Sequence, residues 1–131
     1  LLSAAETVNA KITSTLDAAA LCKMAQRGQI SGAILDGPLA FDNAISAQAA
    51  RIKGIDSPVS GDADILVLPD LESGNVAAKL LEYLAGAASC GVVLGARVPI
   101  ALTSRADGAA SRVASTALAA VVSRATLAAA A

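Results

Sequence analysis

The feature that most constrains this chain is a short apolar run that breaks into a polar turn and then enters an alanine-rich helical pattern. The run at 100–102 follows Pro99 and is typical of a buried parallel strand. The polar residues that come next are Thr103, Ser104, Arg105 and Asp107. Beyond Gly108 we predict a helix from about Ala109 to Arg124, with an apolar face at helical spacing.

This polar turn has two interpretations. In open α/β sheets, anionic ligands bind where a strand passes into a helix, because free backbone N–H groups and the helix dipole point at them. Arg105 adds a fork of donors whose shape matches phosphate. The alternative is an ordinary turn with an exposed Arg105 and Asp107. Spacing alone leaves both interpretations open.

Further short apolar runs alternate with helical patterns along the chain. We predict strands at 1–5, 33–35, 65–68 and 90–94. The predicted helices run from a cap at Ser14 or Thr15 to Gly28, from a cap at Ser46 to Gly54, and from Glu72 to Gly86. This alternation predicts an α/β fold with a parallel-rich sheet covered by helices.

Composition excludes several functions. The 131 residues suit one domain, and 10 basic against 11 acidic residues with two aromatic residues make nucleic-acid binding unfavourable. No apolar run is long enough to cross a membrane. The absence of histidine excludes histidine base chemistry and leaves no Cys/His cluster for zinc. Cys22 and Cys90 indicate reduced thiols in a cytoplasmic protein. The start at Leu1, inside an apolar run, predicts a fragment of a longer protein.

Two other predicted strands end in acidic turns. Asp36-Gly37-Pro38 follows the run at 33–35, and Pro69-Asp70 follows the run at 65–68. Ordinary turn chemistry explains the first, and helix capping explains the second. A ligand-facing role for the residues after Asp70 is the alternative that spacing leaves open.

Four stretches in this order resemble the C-terminal half of the phosphate acetyl/butyryltransferase (phosphotransacetylase) family. They are LDGPLAFDNA at 35–44, SPVSGDADIL at 57–66, LPDLESGN at 68–75 and VLGARVPIALTSR at 93–105. The resemblance extends from about Leu1 to about Arg124. None of the four motifs is specific alone, whereas four in register are.

The resemblance implies an acyltransferase that moves an acetyl or short acyl group between coenzyme A and inorganic phosphate. It implies a fold like that of isocitrate and isopropylmalate dehydrogenases, with two α/β domains facing a cleft. Residues 1–125 would be the second domain with its C-terminal helix, and 126–131 a low-complexity tail. The implied partners are acyl-CoA, phosphate or acyl phosphate and a second copy in a homodimer. Coenzyme A would be a substrate, with no permanent cofactor and no metal.

The resemblance also implies roles for individual residues. Arg105 would hold phosphate or transition-state charge, and Ser104 would hydrogen-bond the thiol or the developing oxyanion. Many acetyl-specific members carry an aspartate seven positions after the motif serine, where this chain has Ser111. Asp107 is the nearest carboxylate, and it is either a substitute base for the thiol or a helix cap. If it is a cap, arginine alone stabilises the thiolate or this member does not catalyse. The implied substrate-binding residues are Asp36, Gly37, Pro38, Pro69, Asp70, Gly74, Asn75 and Gly95.

Two other functions compete with this one. Domains appended to malic enzymes resemble this family and suggest a non-catalytic domain that senses acyl-CoA for a larger enzyme. A dehydrogenase relative is the other, but the sequence has no clustered carboxylates for a metal–hydroxyacid site. Whether a complete set of arginines and a base exist in the rest of the protein would distinguish a catalytic domain from a sensing domain.

Overall fold

The structure, a computed structural model, describes residues 1–129. Five helices and two strands form two compact units, Leu1–Val76 and a second unit from Ala77 onward. The elements are α1 (Thr13–Gln26), α2 (Phe41–Ile45), α3 (Ala47–Ile52), α4 (Leu71–Tyr83), β1 (Gly91–Val93), β2 (Ile100–Leu102) and α5 (Ala109–Ala129).

The first unit is built around residues 1–3, here called the initial segment. Leu39 N donates to Leu1 O at 3.0 Å and Ser3 N donates to Leu39 O at 2.9 Å, which makes a parallel bridge between Leu2 and Leu39. On its other side, Leu2 N donates to Val67 O at 2.8 Å. The buried core of this unit contains Leu2, Leu39 and Ala44, with Ile55, Leu66 and Leu68 packed against it.

The start of α1 differs from the prediction. The helix begins at Thr13 after Ile12, which provides no side-chain cap, so neither Ser14 nor Thr15 is the N-cap. Thr15 is instead fully buried, and its hydroxyl accepts from Asn9 N at 2.9 Å and lies 2.7 Å from Ile12 O. Thr15 lies in the first turn of α1, and its hydroxyl holds the loop at 9–12 that precedes the helix. The predicted stop at Gly28 is confirmed: the helix ends at Gln26, Arg27 is its C-cap, and Gly28 follows with a φ of +74°.

The cap of α3 is confirmed. Ser46 Oγ accepts a hydrogen bond from Ala49 N at 3.2 Å, and the helix ends at Ile52. The loop that packs against this helix approaches it backbone to backbone. A Cβ at Gly61, whose φ is +89°, would lie 2.5 Å from Ala47 Cα. Only glycine fits this position, because a side chain would need both a rare backbone conformation and space that Ala47 occupies.

Two predicted strands are wrong. Neither 33–35 nor 65–68 forms a strand, and the run at 1–5 contributes the single bridge at Leu2. A strand requires a continuous ladder with a neighbour, whereas the run at 65–68 gives one backbone bond to the initial segment through Val67. Ile34 and Ile65 are more than 70% exposed, so one side of these runs is not packed.

The second unit contains the strand pair β1 and β2, and this pair is antiparallel. Gly91 pairs with Leu102 and Val93 pairs with Ile100. The parallel-rich sheet that the sequence predicts is therefore not confirmed: the connection 94–99 is too short for a parallel crossover and closes a hairpin instead. A hydroxyl fastens this pair to α5, since Ser115 Oγ accepts from Gly91 N at 3.0 Å and donates to Ser111 O at 2.8 Å.

Helix α5 extends further than predicted. It continues past Arg124 to Ala129, so the predicted boundary between 125 and 126 falls inside the helix. The last two residues of the predicted tail, 130 and 131, lie outside the described residues. Among the helices of residues 1–129, none combines the length and apolarity that a membrane span requires.

Candidate functional site

The turn at 104–107 connects β2 to α5 and is closed by its own polar groups. Ser104 N donates to Asp107 Oδ2 at 2.7 Å, and Asp107 N donates to Ser104 O at 3.2 Å. Ser104 Oγ accepts from Ala106 N at 3.3 Å. Asp107 therefore fixes this turn rather than capping α5, and one of its carboxylate oxygens is already engaged.

Arg105 lies at the exposed tip of this turn. Within residues 1–129 its guanidinium takes part in no salt bridge, so its donors face solvent. Four residues further on, α5 begins at Ala109, and the first N–H groups of a helix have no partner inside the helix. A guanidinium and a helix N-terminus in succession can hold an anion such as phosphate.

Gly95 does not lie at the same end of the strand pair as this turn. It lies in the connection between β1 and β2, beside the Val93–Ile100 end of the ladder. Ser104 follows Leu102, which pairs with Gly91 at the opposite end. The hairpin thus separates two residues that the sequence placed in one site.

In the first unit, Asp36, Gly37 and Pro38 form a tight loop, here called loop 36–38. Asp36 Oδ1 accepts from Gly37 N at 2.8 Å, and the bond between Gly37 and Pro38 is cis. A Cβ on Gly37 would lie 2.7 Å from Leu1 O. Cys22 Sγ lies 3.6 Å from Gly37 O, and burial together with the Asp36 carboxylate raises the pKa of its thiol. The loop is therefore held tightly against the initial segment.

Asp70 caps α4, as predicted. Its Oδ1 accepts from Ser73 N at 2.7 Å, and this backbone hydrogen bond holds the pKa of Asp70 below its ordinary value. Pro69 precedes this cap and is exposed. Gly74 and Asn75 lie inside the first turns of α4, where Gly74 N donates to Asp70 O at 3.1 Å.

The structure brings some of the predicted residues together. The chain that follows Pro38 and the run that precedes Pro69 both hydrogen-bond to the initial segment, so loop 36–38 and Asp70 belong to neighbouring stretches of one unit. Ser104, Arg105 and Asp107 form a separate turn in the second unit. A cavity of about 310 Å³ in the first unit, between residues 32–34 and 58–65, contains none of the predicted residues.

A polar cluster in the first unit is absent from the sequence predictions. Glu6 Oε1 accepts from Asn43 Nδ2 at 2.6 Å and from Lys53 Nζ, and Lys53 also donates to Asp42 Oδ1 at 2.9 Å. The lysine holds the pKa of Glu6 and of Asp42 below their ordinary values, and both carboxylates raise the pKa of Lys53. Glu6 is 37 and 47 residues from its two donors, so local patterns give no signal for the cluster.

Metal binding receives no support from the clustering of donors. Within the part of the chain that the structure describes, no group of three or more histidine, cysteine, aspartate or glutamate side chains converges. The polar groups that do converge there are the cluster around Glu6, hydrogen-bonded pairs and turn caps.

The fold and the turn at 104–107 define an α/β protein with a candidate anion-binding turn at the start of a long helix. The chain belongs to the phosphate acetyl/butyryltransferase family: the family model described as "Phosphate acetyl/butaryl transferase" matches residues 1–120. This match confirms the family to which the four sequence motifs point.

Relatives and a solved structure agree with this family. The chain is 67% identical over 121 residues to a phosphate acetyltransferase of Rhizobium meliloti, covering 92% of this chain and 38% of the relative. It is 50% identical over 117 residues to a phosphate butyryltransferase of Clostridium beijerinckii, covering 89% and 39%. A branched-chain phosphotransacylase from Enterococcus faecalis V583 aligns with a TM-score of 0.77 at 39% identity, covering 91% and 42%. The chain thus spans about two fifths of the length of these relatives.

Proposed function

We propose that this chain is the part of a phosphate acyltransferase that carries the Ser104–Arg105 pair and transfers an acetyl or short acyl group between coenzyme A and inorganic phosphate. The observation that carries the proposal is the turn at 104–107, which presents an exposed Arg105 directly before the N-terminus of α5. Family membership and relatives named as phosphate acetyltransferase and phosphate butyryltransferase support it.

The chemistry requires positive charge at this place. In the direction that forms the thioester, a coenzyme A thiolate attacks the carbonyl carbon of an acyl phosphate and gives a tetrahedral oxyanion. The oxyanion collapses, the bond from carbon to the phosphate oxygen breaks, and phosphate leaves. Arg105 holds the phosphate and its developing charge, and the Ser104 hydroxyl donates to the oxyanion or to the thiolate sulfur.

We propose a separate substrate-contacting surface on the acidic loops of the first unit. In this proposal Asp36, Gly37, Pro38, Pro69, Asp70, Gly74 and Asn75 contact substrate there, and Gly95 contacts substrate in the second unit. The Asp36 carboxylate repels phosphate and accepts hydrogen bonds from amides and hydroxyls, so loop 36–38 suits the pantetheine arm of coenzyme A.

The rest of the assembly follows from the family in this proposal. We expect a fold like that of isocitrate dehydrogenase when the chain is joined to the remainder of such an enzyme, a homodimer, and a cytoplasmic location. Light scattering at high concentration tests the dimer, and a clean monomer would reject it.

Replacing Arg105 with lysine tests the function. Lysine keeps the charge but loses the planar two-pronged contact with phosphate oxygens. In the natural polypeptide that contains these residues, Arg105→Lys is expected to remove roughly 2–4 kcal/mol of transition-state stabilisation, which is about 30- to 1000-fold in kcat/KM. The measurement is the formation of acyl phosphate from acyl-CoA and inorganic phosphate, with release of coenzyme A.

The matched control is Arg97→Lys, because Arg97 is an exposed arginine in the connection between β1 and β2. It is expected to keep wild-type activity. If Arg105→Lys does so as well, Arg105 is a surface residue of the turn and the proposed site is wrong.

We also propose Asp107 as the base that deprotonates the thiol. A thiol with an ordinary pKa near 8.5 is mostly protonated at neutral pH, so a base or a positive field must form the thiolate, and this proposal assigns the base. Asp107→Asn retains a carbonyl oxygen that can accept from Ser104 N, so the turn is expected to persist. The expected result is a fall of roughly 100-fold in rate at neutral pH that recovers as the pH approaches 8.5. An unchanged pH profile would mean that Asp107 only stabilises the turn and is not the base.

A further inference from the structure

The polar cluster of Glu6, Asn43, Lys53 and Asp42 connects three separate parts of the first unit. Glu6 follows the initial segment, Asn43 lies in α2, and Lys53 directly follows α3. The Glu6 carboxylate accepts from both Asn43 and Lys53, and Asp42 shares the lysine. The cluster therefore fixes two short helices to the segment beside loop 36–38.

A stabilising role alone does not explain this cluster. The Lys53, Glu6 and Asp42 side chains are 36%, 29% and 54% exposed, and ion pairs of this exposure contribute little to stability. Asn43, by contrast, is fully buried, and its Oδ1 has no hydrogen-bond partner within the described residues. An unsatisfied buried acceptor costs free energy that an apolar side chain would not, so the amide is better explained by the geometry it enforces.

A short connection, residues 39 and 40, joins α2 to loop 36–38, so the position of α2 affects the position of the loop. Helix α2 begins at Phe41, three residues after Pro38, and it has no side-chain cap at Ala40. A helix of five residues is not stable on its own, so contacts outside it set its position. Ala44 packs against Leu2 in the core, and the hydrogen bond from Asn43 adds a polar contact between α2 and Glu6, just after the initial segment.

We infer that Glu6 is a positioning residue for coenzyme A binding, acting through Asn43 and α2 on loop 36–38. Backbone hydrogen bonds from Leu39 and Ser3 hold the far side of the connection, so the loop is fixed between the initial segment and α2. Glu6 does not touch substrate. This inference rests on the proposed function, because it assigns loop 36–38 to coenzyme A.

The test is a graded set of variants in the natural polypeptide that contains these residues. Glu6→Ala removes both contacts, and Glu6→Gln keeps an acceptor for Asn43 but loses the charge that faces Lys53. Asp42→Asn affects only the more exposed arm of the cluster. Asp56→Ala is the control, because Asp56 is an exposed carboxylate of the same unit.

The measurements are KM for coenzyme A, kcat and the thermal midpoint. We expect KM to rise about tenfold in Glu6→Ala and about threefold in Glu6→Gln, with kcat within about twofold of wild type. Asp42→Asn and Asp56→Ala are expected to match wild type in both constants. If Glu6→Ala does not fold, Glu6→Gln decides the question.

Several results would overturn the inference. Wild-type kinetics in Glu6→Gln, or a loss of activity that appears in kcat alone and follows the thermal midpoint, would make the cluster purely structural while leaving the proposed function intact. If wild type shows no acyl transfer but binds coenzyme A, the dissociation constant replaces KM as the readout and the proposed catalysis fails separately. If wild type neither transfers acyl groups nor binds coenzyme A, both proposals are rejected.

Discussion

The first and the second unit of this chain are each stabilised internally by a different kind of contact. The first unit buries apolar side chains, namely Leu2, Ala18, Leu39, Ala44 and Ala50. In the second unit, among residues 77–126, the buried side chain is the hydroxyl of Ser115. Its large apolar residues are mostly exposed, with Leu84 at 80% and Val113 at 69%. The first unit therefore has a small hydrophobic core, whereas hydrogen bonds define the second.

Because of this difference, different contacts hold the candidate site residues of each unit in place. Loop 36–38 lies against Leu1 and Ala18 in the packed unit, so apolar contacts act there together with backbone hydrogen bonds and the Glu6–Asn43 contact. The turn at 104–107 relies on its own carboxylate and on the strand pair that Ser115 fastens to α5.

The largest effect on stability is expected from the core of the first unit. Leu39→Ala removes a side chain that is 3% exposed, and leucine truncations of this kind cost about 2–5 kcal/mol. Incorporation of 4-fluorophenylalanine places a single probe in this unit, because Phe41 is the one phenylalanine of the 131 residues. Denaturant titration followed by ¹⁹F NMR gives the free energy of unfolding.

The control for Leu39→Ala is Val113→Ala, at an exposed position of the second unit. Its cost is expected to stay within about 0.5 kcal/mol, as is usual for surface substitutions. If both variants lost the same stability, the distinction between a packed unit and a hydrogen-bonded unit would be wrong.

A smaller effect is expected from the hydroxyl that fastens the second unit. Ser115→Ala removes the acceptor for Gly91 N, and an unsatisfied donor of this kind costs about 1–3 kcal/mol. Hydrogen exchange at the Gly91 amide measures it directly and should become faster. Thr116→Ala removes a neighbouring exposed hydroxyl bonded to Arg112 O and should leave the Gly91 amide unchanged. Equal exchange in both variants would count against the role of Ser115.

The smallest effect concerns pH, and it should distinguish the units. The pKa values of Glu6, Asp42 and Asp70, all in the first unit, are lowered by hydrogen bonds from Lys53 or from Ser73. Their contribution to stability is therefore complete above their unfolded pKa values and is lost as the pH falls through the lower folded values. The raised pKa of Lys53 acts on the alkaline side, where its contribution is lost as the pH rises through the folded value.

We therefore expect the thermal midpoint reported by Phe41 to fall between about pH 5 and pH 3, and to fall less in Glu6→Gln. The raised pKa of Lys79, beside Glu82, gives the second unit an alkaline dependence of the same sign as that of Lys53. An acid transition that Glu6→Gln leaves unchanged would remove Glu6 from its cause.

Local chemistry was predictable from the sequence, and long-range pairing was not. Ser46 and Asp70 act as caps as predicted, because a cap depends on residues within three positions. The run at 65–68 looks like a strand, but its pairing depends on residues more than 60 positions away. The direction of β1 against β2 likewise depends on how the connection folds back.

The candidate site follows the same division. The strand, the polar turn and α5 around Ser104 and Arg105 are contiguous in sequence, and their order was predicted. The prediction that this strand is buried and parallel is wrong, because β2 is exposed and pairs antiparallel with β1. The bond from Ser104 N to the Asp107 carboxylate was not, since an aspartate at that spacing fits a helix cap equally well. Glu6 gave no signal at all, because its donors Asn43 and Lys53 are distant along the chain.

The close approach of Gly61 to Ala47 limits how this protein can vary. In a saturation library, codon 61 is expected to accept glycine alone among the twenty, although it lies in a loop where substitutions are usually tolerated. A side chain at position 61 would clash with Ala47, and only movement of the Ala47 backbone could remove the clash, since the nearest atom is a Cα and not the end of a flexible side chain. Lineages that diversify this loop must therefore do so by changing its length or its flanks, with a glycine kept at the point of contact.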